Sequence, residues 1–388
     1  MSRFGIYVLT IGAFLAVTAE LMLIGVTDLV ARDLQVPLSF IGHLVTAYAL
    51  AFAVGTPIVI TLTARLERKR VMLAALFFFV LANLVSSWSP NFAVLMVARA
   101  LLGLSGGVFV VVAMGAVSKL VPPDKVGGAI GTIMMGLSGS LVFGVPLGIV
   151  LSGWFSWQFA FGVIAVLGVL IWIGILLMIP AVSGGESVPL RRQFSVFMNK
   201  KMVSGFLITL FVNAGSQTVY TFLTPVLQTT TQMNTWMISL TMLVLGIFSM
   251  IGSRLGGFGA DRFGVKKTVY LSLIIHATVL LLLPVFMFSI ATFVLALSVW
   301  ICFTWMASPA LQTYFVQQSP QNPDLALSLN TSFTQLGIAL GASLGGWVVN
   351  LTGDLMHTTW AGGLIVLLAI AVSRISFVTP DGLGKGSI

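Results

Sequence analysis

Long apolar runs alternate along the chain with short polar or basic breaks. A helix that crosses a bilayer needs roughly 20 predominantly apolar residues, because each residue rises about 1.5 Å across a hydrocarbon core about 30 Å thick. Such runs recur at about 5–27, 40–62, 71–89, 93–116, 127–151, 159–181, 203–226, 235–254, 268–288, 291–314, 327–350 and 359–377. Several contain Gly or Pro, which membrane helices tolerate better than soluble ones do. The pattern predicts an all-α integral membrane protein with twelve transmembrane helices.

Composition narrows the function classes. Of 388 residues, 58% are hydrophobic and 7% charged, against about 25% charged in an average soluble protein. So few charges cannot solvate a soluble fold of this size, which excludes an ordinary cytosolic enzyme, a nucleic-acid-binding domain and a disordered chain. The formal net charge of +9 then reads as topogenic rather than as a footprint for nucleic acid. With a cytoplasmic N-terminus, the inner breaks collect Arg65, Arg68, Lys69 and Arg70, then Lys119 and Lys125. They go on to collect Arg191, Arg192, Lys200 and Lys201, and finally Arg262, Lys266 and Lys267. The outer breaks hold only Arg32. That asymmetry predicts both termini inside, as an even number of spans requires. No cleavable signal pattern precedes the first run. A single cysteine, Cys302, and scattered histidines at 43, 276 and 357 give neither a disulfide nor a metal cluster, and no cofactor is expected.

The longest break, about 182–202, divides the spans into two sets of six. It predicts a six-helix half over 1–181, a cytoplasmic linker, and a second half with a short tail over 203–388. A basic amphipathic stretch within it suits the anionic inner leaflet; the plainer alternative is a solvated loop. A repeat supports the division. Leu62-Thr63-Ala64-Arg65-Leu66-Glu67-Arg68-Lys69-Arg70 follows the second run, and Gly259-Ala260-Asp261-Arg262-Phe263-Gly264-Val265-Lys266-Lys267 follows the eighth. Two pseudo-symmetric halves are how many transporters place a site at the bilayer midplane.

The second of these breaks carries a family resemblance. Gly257-Phe258-Gly259-Ala260-Asp261-Arg262-Phe263-Gly264 resembles the inter-helix signature G-x-L-A-D-R-x-G of the major facilitator superfamily. The run Leu95-Met96-Val97-Ala98-Arg99-Ala100-Leu101-Leu102-Gly103 is similar to its fourth-helix motif, which has a membrane-embedded Arg. Gly144-Val145-Pro146-Leu147-Gly148, with Gly136 and Gly139 upstream, resembles the fifth-helix motif of its twelve-helix drug:proton antiporter branch. Ala19-Glu20-Leu21 with Gly25 and Asp28, and the run Leu62 to Arg70, resemble a subgroup of purine base and nucleoside efflux pumps and sugar or drug exporters; Ser308 to Tyr314 and Asn330 to Gly341 are also similar to its purine efflux pumps. The resemblance implies a proton-coupled exporter in the cell (inner) membrane, working as a monomer by alternating access. It places gating at Gly144, Pro146 and Gly148, as a face that seals against the partner half, and at Asp261 and Arg262. Two departures stand out. Ala64 occupies the first-half position of the signature Asp, with Glu67 nearby as a stand-in, and Gln158 stands where the subgroup often has Arg.

Of ten acidic residues, Glu20 is the one well inside an apolar run. A charge at that depth costs at least ~3 kcal/mol on insertion scales, so an embedded acid is a functional candidate. Glu20 lies eight residues before Asp28 and Arg99 eight after Asn91, which puts both roughly 12 Å below the outer boundary. Burial favours the neutral acid and a nearby cation favours the carboxylate. A site whose balance differs between two carrier states takes up a proton on one side and releases it on the other. Against this stands a static ion pair, or an Arg99 bonded to backbone carbonyls. One proton is enough for a neutral solute: about 100 mV supplies ~2.3 kcal/mol per charge and a pH unit adds ~1.4 kcal/mol. Together they sustain a gradient of a few hundred-fold, roughly.

Candidate substrate contacts are polar or aromatic groups repeated on one helix face. Asn213, Gln217, Tyr220 and Thr224 share a face of the seventh run. In the eleventh, Asn330 and Thr334 share one face, and Ser328, Ser332 and Gln335 another. Trp300, Thr304, Trp305 and Gln312 in the tenth and Tyr48 in the second complete the set. Amides and rings suit a flat heterocycle that stacks and hydrogen-bonds, while interhelical hydrogen bonding is the plainer role. The expected partners are a small solute, protons and the bilayer. Rival readings are a multidrug pump for lipophilic or cationic compounds, or a sugar exporter or importer of the same fold. No Ser/His or paired-acid constellation supports an enzyme.

Overall fold

The computed structural model describes residues 3–121, 126–184, 199–319 and 323–378. Among them every regular element is helical and no strand occurs. The long helices follow the apolar runs: α1 Arg3–Gly25, α2 Leu38–Leu62, α3 Arg68–Ser87, α4 Phe92–Leu120, α5 Val126–Trp154 and α6 Trp157–Met178. The second set is α7 Lys200–Tyr220, α8 Thr235–Phe263, α9 Val265–Leu282, α10 Ile290–Gln318, α11 Pro323–Thr352 and α12 His357–Val378. Polar side chains fix several starts by accepting from the first free backbone N–H groups: Asn91 for α4, Ser156 for α6, Asn199 for α7 and Asn234 for α8. Most of the expected linker, with Arg191 and Arg192, lies outside the described residues, as do Asp124, Lys125 and the tail from 379.

Packing within the first six helices is repeated in the last six. Helix α1 packs on α5, α6 and α4, just as α7 packs on α11, α12 and α10. Helix α3 packs on α4 and α6, as α9 does on α10 and α12, and the pair α2–α4 is matched by α8–α10. The correspondence extends to single atoms. Lys69, the second residue of α3, donates Nζ to the Leu176 carbonyl at the end of α6, at 2.9 Å; Lys266, the second residue of α9, donates to Phe377 at the end of α12, at 3.5 Å. The basic breaks therefore also satisfy orphan carbonyls at helix C-termini. Gly103 in α4 lies on the Tyr48 carbonyl of α2, and Gly252 in α8 on the Cys302 carbonyl of α10; an added Cβ would sit 2.0 Å from either oxygen. The two sets meet chiefly along α2–α11 and α5–α8.

Three elements differ from the sequence expectation. Helix α8 runs through Phe263, so the signature Gly257–Phe263 is its last turns, and Gly264 at φ 88° is the whole connection to α9; the glycine-rich composition suggests a loop, but the bundle supports the helix. Helix α2 contains one wide π turn at Ala51–Gly55, beginning three residues after Tyr48. After Tyr220, α7 breaks at Thr221-Phe222 before a short helix Leu223–Thr230. Helix α5 bends, turning by 41° between Thr132–Ser140 and Val142–Trp154. Pro146 provides no N–H to the residue four before it and crowds that carbonyl.

Candidate functional site

Helices α1, α7, α8, α10 and α11 enclose a cavity of about 230 Å³. It draws on both sets of helices, with Glu20 from α1 facing residues of the second set. Asn213, Gln217, Tyr220, Trp305, Asn330 and Thr334 all line it. Thr224 does not; its hydroxyl donates instead to the Ile24 carbonyl at 2.9 Å. Tyr48 also lies outside the lining: it is buried behind Glu20, its hydroxyl directed at the carboxyl group. Among the lining side chains Glu20 is the only acid, and none is Lys, Arg or His.

Arg99 reaches Glu20 from α4, as the matched depths suggest, but it does not pair with the carboxylate within 4 Å. Its Nη1 donates to the Ala19 carbonyl at 2.7 Å, its Nη2 to the main-chain carbonyl of Glu20 at 3.3 Å, and its Nε to Leu44 at 3.5 Å. The guanidinium lies over the Tyr48 ring, 4.7 Å from its centroid. Fully buried, Arg99 thus ties α1, α2 and α4 together through backbone oxygens and supplies positive potential near Glu20. The carboxyl oxygen of Glu20 accepts instead from Nε2 of Gln335 on α11, at 3.4 Å. Gln335 therefore shares the cavity face with Asn330 and Thr334, whereas the sequence reading groups it with Ser328 and Ser332; a cavity between five helices exposes a broader arc of α11 than one i, i+4 row.

The amides are partly spent on the protein. Asn213 donates to the Thr209 carbonyl at 2.8 Å, Gln217 to the Thr221 hydroxyl at 3.1 Å, and the Thr209 hydroxyl donates to Asn330 Oδ1 at 2.8 Å. Thr304, a candidate from the tenth run, lines the cavity too, whereas Trp300 and Gln312 are outside its lining; Thr209, Ser216, Ser249 and Ser308 also line it, and as small hydroxyl residues common throughout the runs these four carry no sequence signal that sets them apart.

One end of the bundle is closed by contacts between the two sets. The Thr46 hydroxyl bonds the Ala339 carbonyl at 3.0 Å and lies 2.8 Å from the Ser343 hydroxyl. Gly42 lies on the Ala342 carbonyl and Gly346 on that of Ser39. All of these sit towards the end where α1 finishes and α2 begins. Gly144 and Gly148 pack on Thr18 and Met22 of α1, within their own half. The surface expected to seal against the other half is provided by their neighbours Val145 and Ile149, which join the cluster of Val219, Leu223 and Leu245. At the opposite end Asp261 and Arg262 are exposed, the guanidinium lying 5.6 Å from the Phe258 ring and 5.7 Å from that of Phe263. The buried Ala64 makes no polar latch, and Glu67 pairs with Arg70 at 3.0 Å in its own helix turn. Gln158 donates to Asp33 at 2.6 Å. His276 is fully buried beside Trp300, and His43 is exposed against Phe40.

Known proteins agree with this architecture. The family model of the Major Facilitator Superfamily matches residues 9–323. The chain is 34% identical over 373 residues to the uncharacterized MFS-type transporter YbcL of Bacillus subtilis, covering 96% of this chain and 95% of that protein. It is 27% identical over 385 residues to a chloramphenicol resistance protein of Streptomyces lividans, covering 95% of each. A probable sugar efflux transporter of Helicobacter pylori is 26% identical over 368 residues, covering 94% of this chain and 93% of that one. In fold the chain is similar to a bacterial homologue of the human lysosomal transporter Spinster in an inward-facing, unoccupied conformation. The TM-score is 0.79 at 15% identity, covering 97% of this chain and 98% of that one.

Proposed function

The chain belongs to the Major Facilitator Superfamily, and from that membership we propose that it exports small organic molecules by proton antiport. The observation that carries the reading is Glu20, the single acid on a cavity whose walls come from both sets of helices. In this reading Glu20 carries the proton, Arg99 holds its backbone in place, and the cavity faces the two membrane surfaces in turn. The basic breaks favour both termini on the cytoplasmic side of a bacterial inner membrane. The closed end then faces outward, and a substrate enters from within. Two relatives named for drug resistance and sugar efflux favour export over import.

The lining points to the substrate class. With one carboxyl group and no cationic side chain, the cavity repels anions and accepts neutral or cationic solutes. Trp305 and Tyr220 offer ring faces, and Asn213, Gln217 and Asn330 offer amides, which suits a small flat heterocycle such as a purine base or nucleoside. A lipophilic cation is the second reading, favoured by the same carboxyl group. Uptake into energised inside-out vesicles separates them. Labelled adenine or hypoxanthine accumulating, with a cationic dye failing to compete, supports the purine reading; accumulation of the dye alone makes the protein a drug pump.

A further inference from the structure

Glu20 and Gln335 belong to different halves, and the bond between them is incomplete. Gln335 uses Nε2 on the Glu20 carboxyl group at 3.4 Å, while its own Oε1 is buried without a hydrogen-bond partner. Gln335 is 7% exposed, and an unmade bond of this kind is costly. The donor inventory explains the deficit. An ionised carboxylate only accepts, so it satisfies the amide N–H and offers nothing to the amide oxygen. A protonated carboxyl group has one O–H to give. It pairs with a primary amide in a reciprocal ring, its O–H donating to Oε1 while Nε2 donates to its carbonyl oxygen.

We infer that Gln335 is the positioning residue through which the charge of Glu20 sets the contact between the two halves. Protonation changes one long bond and a buried orphan into a two-bond clasp between α1 and α11. Loss of the proton leaves the single bond. The clasp lies one turn from Ala339, whose carbonyl takes the Thr46 hydroxyl at the closed end. A proton on Glu20 thereby holds that end shut, and its release frees the end to open.

No other ionisable side chain provides the missing O–H. From the helices packed on α1, only Tyr48 of α2 and Arg99 of α4 face the carboxyl group, Arg99 having its guanidinium on main-chain oxygens. Helices α5 and α6 and the segment Leu223–Thr230, which also pack on α1, carry no ionisable side chain. Tyr220 of α7 lines the same cavity, and its hydroxyl does not reach Gln335 Oε1, which has no hydrogen-bond partner. The inference rests on the proposed proton role of Glu20, and the test keeps the two apart.

Infrared difference spectra of the purified full-length protein, recorded on a step from alkaline to acid pH, read both groups. A carboxylic C=O band that appears on acidification and is missing in Glu20→Gln belongs to Glu20. The clasp predicts that this band shifts to higher wavenumber in Gln335→Met, which keeps the side chain's length but removes both polar atoms. It also predicts that labelling of a cysteine at Ser343→Cys, in a Cys302→Ala background and taken at each pH relative to the same cysteine in the denatured protein so that thiolate fraction cancels, slows at acid pH and that Gln335→Met removes this protection. A Glu20 band at the same position in both proteins, or an acid-protected Ser343→Cys that stays protected in Gln335→Met, overturns the clasp while leaving the proton role of Glu20 standing. If no band is lost in Glu20→Gln, the carboxyl group does not titrate, and both the clasp and the proton role fall.

Discussion

At the scale of single residues, the chemistry concentrates where α1, α2, α4 and α11 converge on Glu20. Arg99 is predicted to be a structural necessity as well as an electrostatic one, because its guanidinium satisfies carbonyls at Ala19, Glu20 and Leu44. Arg99→Met leaves those oxygens without their charged donor in a buried site, a loss on the order of 3 kcal/mol. Arg99→Lys recovers only part of it, since an ammonium lacks the planar fork of donors. Thermal unfolding of the two purified variants should rank wild type, Lys, Met; a Met variant as stable as wild type would refute the assignment. Much of this site is legible in the sequence. An acid and an arginine at equal depth announce themselves against apolar runs, and Asn213 and Gln217 share a face that any helix imposes. Gln335 is not legible in the same way, because its meaning lies in the approach of α11 to α1, 315 residues apart in the chain. Nor is the choice Arg99 makes, since a carboxylate and a main-chain carbonyl on the same helix lie equally within its reach.

At the scale of elements, the bundle depends on helices crossing closely at glycine. Gly103→Ala drives a Cβ into the Tyr48 carbonyl and Gly252→Ala drives one into that of Cys302, both backbone atoms that cannot swing aside. Each substitution is expected to cost about 1–3 kcal/mol, the usual range for overpacking. Gly257→Ala, with nothing within 4 Å of the added carbon, provides the control and should gain slightly from helix propensity, by under ~1 kcal/mol. Equal melting temperatures for all three would contradict the crossing geometry. The helices themselves are readable because a membrane demands a fixed apolar length. Their irregularities are not. The π turn at Ala51–Gly55 has no Pro to mark it, and the glycine-rich end of α8 resembles a loop until α9 and α10 pack against it. Pro146 is the exception, a local cause with a local effect that composition reveals directly.

For the whole molecule, matched packing within two sets of six helices leaves α2–α11 and α5–α8 as the surfaces along which the sets meet, and the proposed alternating access requires these to part. Thr46 and Ser343 face each other at the closed end, 2.8 Å apart between hydroxyl oxygens. A disulfide between Thr46→Cys and Ser343→Cys, in a Cys302→Ala background, should hold that end shut and stop transport, with activity returning on reduction; full activity of the oxidised protein would contradict alternating access through this end. The overall architecture follows from apolar periodicity, basic asymmetry and a repeated break, and these need only the sequence. What the transported molecule is does not follow from them, because many solutes satisfy a cavity of amides, hydroxyls and rings. The central claim is that a proton on Glu20 drives efflux, and proton counterflow in liposomes tests it most directly. Purified protein is reconstituted with a pH-sensitive dye inside, adenine or a cationic dye is supplied outside, and the internal pH is followed for wild type and Glu20→Gln. The account predicts that solute entry moves protons out of the wild-type liposomes and that the variant moves none against a gradient. Equal, gradient-driven transport by the two proteins would contradict it.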